Sequence, residues 1–363
     1  MNAPFPLGFP SATAFYLTLY VVTLLIHVAF MNYVLAGSTC LMLGLGRSKA
    51  GTAGDALAHI LQDWLPFALG LAITAGVAPL LFLQILYQEE FYTANLLLSH
   101  RWMAILPVLI VGFYLLYLQK TQWLQARGTT VTWLVRTIAW LCFAFIAWSW
   151  TENHLLSLQR SGWVAQYESG RWTFQSAELI PRLSLWFLGS VPTLALALGW
   201  QTRWILGESQ VDGDAAVRLV SRLGLAGLAL TVAAGGWYAT QLPAEVRARL
   251  LTSLGLPYFV LAVVGLAVQF LGWWRIHNRQ SLSRGVLWLL TAGWTAALVG
   301  GTVLRECRRL IALDLAPLEQ LHQDASRVGG LVAFLIFFAV NTGLIVYSVI
   351  IVRRQPLESD GVG

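Results

Sequence analysis

Charge is what this sequence has least of. Asp, Glu, Lys and Arg together make up 11% of its 363 residues, under half of the roughly 25% that a soluble domain carries. A water-facing surface cannot be built from so few charges, which excludes an ordinary soluble chain. Cysteine is scarce too: Cys40, Cys142 and Cys307 stand far apart. No Cys-X-X-Cys-His occurs, so the chain does not itself attach a c-type haem in the usual way. No basic run gathers into a patch, which argues against nucleic acid as a partner. No polar stretch is long enough for a separate soluble domain, and no internal repeat stands out. The first apolar stretch has neither a basic segment before it nor a clear cleavage site after it, and reads as a retained span.

Apolar sequence fills the space that charge leaves. Hydrophobic residues reach 57%, and 17 Trp and 11 Tyr suit two interfacial aromatic belts. About 20 apolar residues cross a bilayer as a helix. Candidate spans fall at roughly 13–45, 64–88, 102–124, 131–151, 179–205, 217–240, 251–275, 283–304 and 328–352. The expectation is an all-α, polytopic transmembrane helix bundle of about nine spans, with residues 1–363 as one membrane domain.

Charge placement orients it. With the N-terminus outside, 13 of the 23 basic residues fall in inside segments, among them Arg127, Arg136 and Arg353-Arg354. The outside segments hold the remaining basic residues and ten acids, so the net charge is zero outside and +6 inside. Both observations favour N-out and C-in. Two outside loops then mix charge with aromatics or cluster it. They are Glu89-Glu90 through His100-Arg101-Trp102, and Arg305-Glu306-Cys307-Arg308-Arg309. Each is a solvated loop or a rim for docking or for a quinone headgroup. Arg182 is placed to snorkel or to pair with Glu178 one turn earlier.

Six histidines are present, and His27 is the one central in a span. His59 and His277 are expected in inside loops, and His100, His154 and His322 at the outside edge. An imidazole at mid-bilayer depth, with no Lys, Arg, Asp or Glu beside it in sequence, marks a functional site. Its partner is a haem iron, a proton or quinone path, or a neighbouring helix. Asn32, Tyr33, Ser38, Thr39, Thr74, Gln84 and Gln88 are its candidate polar company. Arg305, Arg308 and Arg309 gather at one helix end, placed to pair with Glu306 and Asp314 or to hold haem propionates.

The pattern of nine spans with a first-span histidine resembles subunit I of the cytochrome bd quinol oxidases. The segments that carry the likeness are His27-Val-Ala-Phe-Met-Asn-Tyr-Val-Leu-Ala-Gly37, Phe67 to Val77, Pro181 to Gly189 with Gly199-Trp200, and Trp294 to Arg308. The resemblance implies a subunit of a respiratory electron-transfer complex in the bacterial inner membrane. It implies haem b or quinol as ligand, and c-type cytochrome partners on the outer face. By that likeness His27 is a haem-iron ligand, with Arg305 and Arg308 also placed at the cofactor. Other ligand positions of the family read Ser184 and Leu298 here, the seventh span has no Met, and the stretch from Pro107 to Gln119 has no acid. The likeness therefore implies a relative that has lost most haem sites. The alternative is a cofactor-free membrane anchor of a redox assembly.

Overall fold

The first helix, α1 (Ser11–Met42), starts where Pro10 ends the entry turn, and runs through an unbroken apolar stretch. Successive helices follow it up and down through one bundle. The computed structural model describes residues 5–45, 52–206, 215–313 and 331–354. Every regular element among them is helical.

Helix α2 spans Ala53–Leu86, and Thr52 Oγ1 caps it by accepting from Asp55 N at 3.4 Å. It begins well before the expected residue 64, so His59 lies on a helix and not in a loop. The third span is broken. Helices α3 (Gln88–Met103) and α4 (Ile105–Leu118) meet at a 42° bend. The stretch from Glu89 to Trp102, expected as a loop, is thus mostly α3, and His100 lies on it. The short α5 (Gln122–Gln125) leads into α6 (Thr129–Ser157), which carries Glu152 and His154 inside its buried last turns. A single turn at Arg160–Gly162 and α7 (Trp163–Glu168) follow. Next come α8 (Leu179–Leu206), α9 (Ala215–Gln241) and the short α10 (Ala244–Leu250). Helix α11 (Leu256–Arg279) holds His277. Helix α12 (Arg284–Ala312) is capped by Ser283, and α13 (Leu331–Arg354) closes the described chain.

Eight of these helices are long and apolar enough to cross a membrane, and the bent pair raises the number to as many as nine. The chain is a multi-pass helical membrane protein. The closest pairings are α1 with α2, α8 with α9, and α11 with α12. The last pair meets backbone to backbone: a Cβ on Gly300 would lie 2.5 Å from the Tyr258 carbonyl oxygen, and one on Gly265 2.4 Å from Ala297 N. Small residues let membrane helices approach this closely.

Three apolar clusters fill the interior, two of them large. One, at the end expected inside, gathers Leu57, Leu61, Leu65, Trp273 and Leu287. The other, at the end expected outside, gathers Leu17, Tyr20, Phe82, Leu86 and Cys307. Arg305 through Arg309, expected in a solvated loop, lie within α12, with Glu306, Arg308 and Arg309 buried. The helix runs on past residue 304 because Glu306, Arg308 and Arg309 find partners elsewhere in the bundle. His322 and Asp314 lie outside the described residues.

Candidate functional site

His27 stands where α1 crosses α2. Its Nδ1 is 2.9 Å from the Ala72 carbonyl oxygen. A carbonyl only accepts, so Nδ1 carries the proton and Nε2 the lone pair. One turn further along α2, Gly76 leaves room for the ring: a Cβ there would sit 2.9 Å from Nδ1. The expected polar company turns elsewhere. Asn32 Nδ2 donates to Thr193 Oγ1 at 3.2 Å, Tyr33 pairs with Gln201, and Thr39 Oγ1 accepts from Trp140 Nε1 at 3.0 Å.

Beside it, at the end expected outside, the helices enclose a cavity of about 460 Å³. Leu24, Val28, Trp150, Trp186, Phe259 and Leu298 give it apolar walls. One end is polar. Five arginines line the cavity (Arg182, Arg247, Arg305, Arg308 and Arg309) against one acid, Glu90. His154, Tyr87 and Tyr238 join them.

The charges are wired across helices that are far apart in sequence. Arg309 Nη2 donates to His154 Nδ1 at 2.8 Å, and Nη1 donates to Glu306 Oε2 and to Tyr20 OH, each at 3.3 Å. Its guanidinium lies 4.5 Å from the centre of the Tyr87 ring, whose hydroxyl donates to Glu306. Arg308 Nη2 donates to Glu178, and Arg160 donates to Glu90. The expected pairing of Arg182 with Glu178 gives way to this arrangement, and Arg182 Nη1 donates instead to Tyr238 OH at 3.1 Å.

Several donors remain unused. Because Arg309 donates into His154 Nδ1, the proton of that ring sits on Nε2, and Nε2 is buried without a partner. Nε and Nη1 of Arg308 are likewise buried and unpaired. No partner among the described residues engages Arg305. Buried polar groups are normally satisfied, and this end of the cavity holds three unused buried donors against one unused acceptor, Glu90 Oε2. His154 offers a proton and not a lone pair, which leaves it unsuited to bond a metal.

Of the residues singled out from sequence, Asn32, Arg182, Arg305, Arg308 and Arg309 line this cavity and His27 does not. Leu24 and Val28 of the same helix do line it, and Arg305 contributes to the electrostatic surroundings of His27. Leu298, at the position matched to a ligand glutamate, is an apolar wall residue. His154, Glu178 and Tyr87 escaped sequence reading as site residues. The one local signal was Thr151-Glu-Asn-His154, four polar residues in a row at the end of an apolar run. Neither a family model nor a curated protein matches this chain.

Proposed function

We propose that this chain is the membrane-embedded subunit of a respiratory electron-transfer complex, of the cytochrome bd subunit I type, and that its redox ligand meets it at His27. The observation that carries the reading is the state of that ring. A histidine that bonds a metal ordinarily donates its other N–H to a carbonyl or carboxylate, which fixes the tautomer. His27 Nδ1 donates to Ala72 in this way, and the lone pair on Nε2 is left to bond a haem b iron or to accept from a quinol hydroxyl. Haem b would supply one-electron transfer there. His27 would hold it through the Nε2 lone pair, and Arg305 is a nearby cation with no partner among the described residues. Electrons would pass to or from a c-type cytochrome at the outer face of a bacterial inner membrane.

The test is a pyridine haemochrome spectrum and a quinone extraction on the purified chain. A b-type haem or a quinone is expected, and His27→Ala removes it. A chain that carries neither would sink the redox role. A second reading, a cofactor-free anchor of a redox assembly, draws support from the same contacts. Ala72 and Gly76 also hold the ring as a packing element between α1 and α2. On that reading His27→Ala leaves assembly and turnover of the complex intact.

A further inference from the structure

The outer cavity asks for a ligand of its own, because His27 is not in its wall. We infer that it binds the phosphate of an anionic lipid that enters sideways from the surrounding leaflet. The inference does not rest on the redox reading.

Access comes first. Helices α9 and α11 touch near their inner ends, where a Cβ on Gly224 would lie 2.5 Å from Trp273 Cδ2. Two other seams flank the cavity. Gly189 and Thr231 belong to the α8–α9 seam, and Gly300 and Tyr258 to the α11–α12 seam. The cavity lies between these two pairs. Its lining on this side is open: Leu251 is 53% exposed, Phe259 45%, and Arg247 on α10 is exposed. Its opposite side is closed, with His154 at 6% and Arg308 at 7%. A slot that opens on the flank of a membrane bundle faces lipid and not water. Arg247 stands at its lip.

Chemistry comes second. The unused buried donors belong to His154 on α6 and to Arg308 on α12; Arg305 beside them has no partner among the described residues, and Arg182 of α8 donates to the Tyr238 hydroxyl. They converge from three helices, which suits a group with several acceptor oxygens. A phosphate diester supplies these, and its charge answers the excess of arginine over acid in the wall. A cavity of this volume takes a headgroup and the first carbons of its chains. The chains leave past Leu251 and Phe259 into the bilayer. A choline or ethanolamine head would bring an ammonium toward the arginines, so the lipid is one without a cation, such as phosphatidylglycerol.

Two substitutions test this without touching an ion pair. Gly301 lines the cavity, and a Cβ there meets no atom within 4 Å, so Gly301→Leu starts from open space and adds bulk at the cavity wall. Arg305→Gln removes the cation that has no partner among the described residues. The full chain is loaded with phosphatidylglycerol or phosphatidylcholine, washed through detergent exchange, and its retained lipid measured by mass spectrometry. Wild type is expected to keep about one phosphatidylglycerol per chain and to release phosphatidylcholine. Each variant is expected to lose at least tenfold of that retention, with its melting temperature in lipid-free detergent unchanged. Equal retention in wild type and Arg305→Gln overturns the inference. So does recovery of haem or quinone from this cavity in place of phospholipid, read as loss of that molecule in Gly301→Leu. A further arm adds inorganic phosphate or short-chain phosphatidylglycerol to delipidated protein. Thermal protection by the lipid alone supports the inference, and equal protection by phosphate alone overturns the lipid part. Loss of haem or quinone in His27→Ala with lipid retention unchanged would separate this site from the redox site.

Discussion

A buried ion pair contributes little net stability, yet losing one member of it is costly. Arg309 shows why. It is 3% exposed and bonds Glu306, Tyr20 and His154 at once. Arg309→Met strands the Glu306 carboxylate in the interior, and such a loss costs about 3–5 kcal/mol. Arg309→Met combined with Glu306→Gln removes both charges and should recover a large part of that. Thermal unfolding in detergent of wild type, the single and the double variant checks the order. A single variant as stable as the double would mean that the acid is already neutral or solvated. His27 behaves differently at the same scale. Its one bond is to a backbone carbonyl, and truncation to Ala leaves no buried charge behind. His27→Ala should therefore cost far less than Arg309→Met, about 1 kcal/mol for the lost bond, since the Ala72 carbonyl keeps its partner within α2.

At the scale of the helix, neighbouring glycines in α12 give a direct contrast. A Cβ on Gly300 would strike the Tyr258 carbonyl oxygen and Ala262 N, backbone atoms that cannot step aside. One on Gly301 meets nothing within 4 Å. Gly300→Ala must push α11 away from α12, and overpacking of this kind costs about 1–3 kcal/mol. Gly301→Ala should be neutral or slightly stabilising, since it also trades Gly for a better helix former. Melting temperatures of the two variants settle the difference, and equal values would mean that α11 and α12 do not approach this closely. Which glycine closes a seam is not legible in the sequence, where Gly300 and Gly301 stand side by side in one span. The spans themselves were legible, because apolar runs of membrane length admit one structure. Their ends were not. Arg305 to Arg309 looked like a loop because local sequence shows five residues with four charges. It does not show that Glu178, far earlier in the chain, answers Arg308, or that His154 and Tyr20 answer Arg309. Half of the cavity was legible for the same reason. Arg305 and Arg308 stand out as charges, whereas His154 joins them only once α6 is packed against α12.

The whole molecule has a direction, and the lipid inference depends on it. Count of Lys and Arg favours an N-terminus outside, and the cavity lies at the end of the bundle that this expectation places there. Cysteine labelling reads the direction without disturbing the core. Tyr167, on α7 near the cavity end, is 78% exposed. Arg127, in the turn between α5 and α6 at the opposite end, is exposed and rests only against the face of Trp123. The native background is low, since Cys142 and Cys307 are buried and Cys40 is half-buried within α1. A membrane-impermeant maleimide added to intact spheroplasts should label Tyr167→Cys and leave Arg127→Cys untouched until the membrane is broken. Each variant removes a surface side chain, so both should insert as wild type does. The reverse pattern would overturn the N-out orientation. It would also move the arginine-lined cavity to the cytoplasmic leaflet, where anionic lipid gathers, and a c-type cytochrome on the outer face could then no longer reach that end of the bundle.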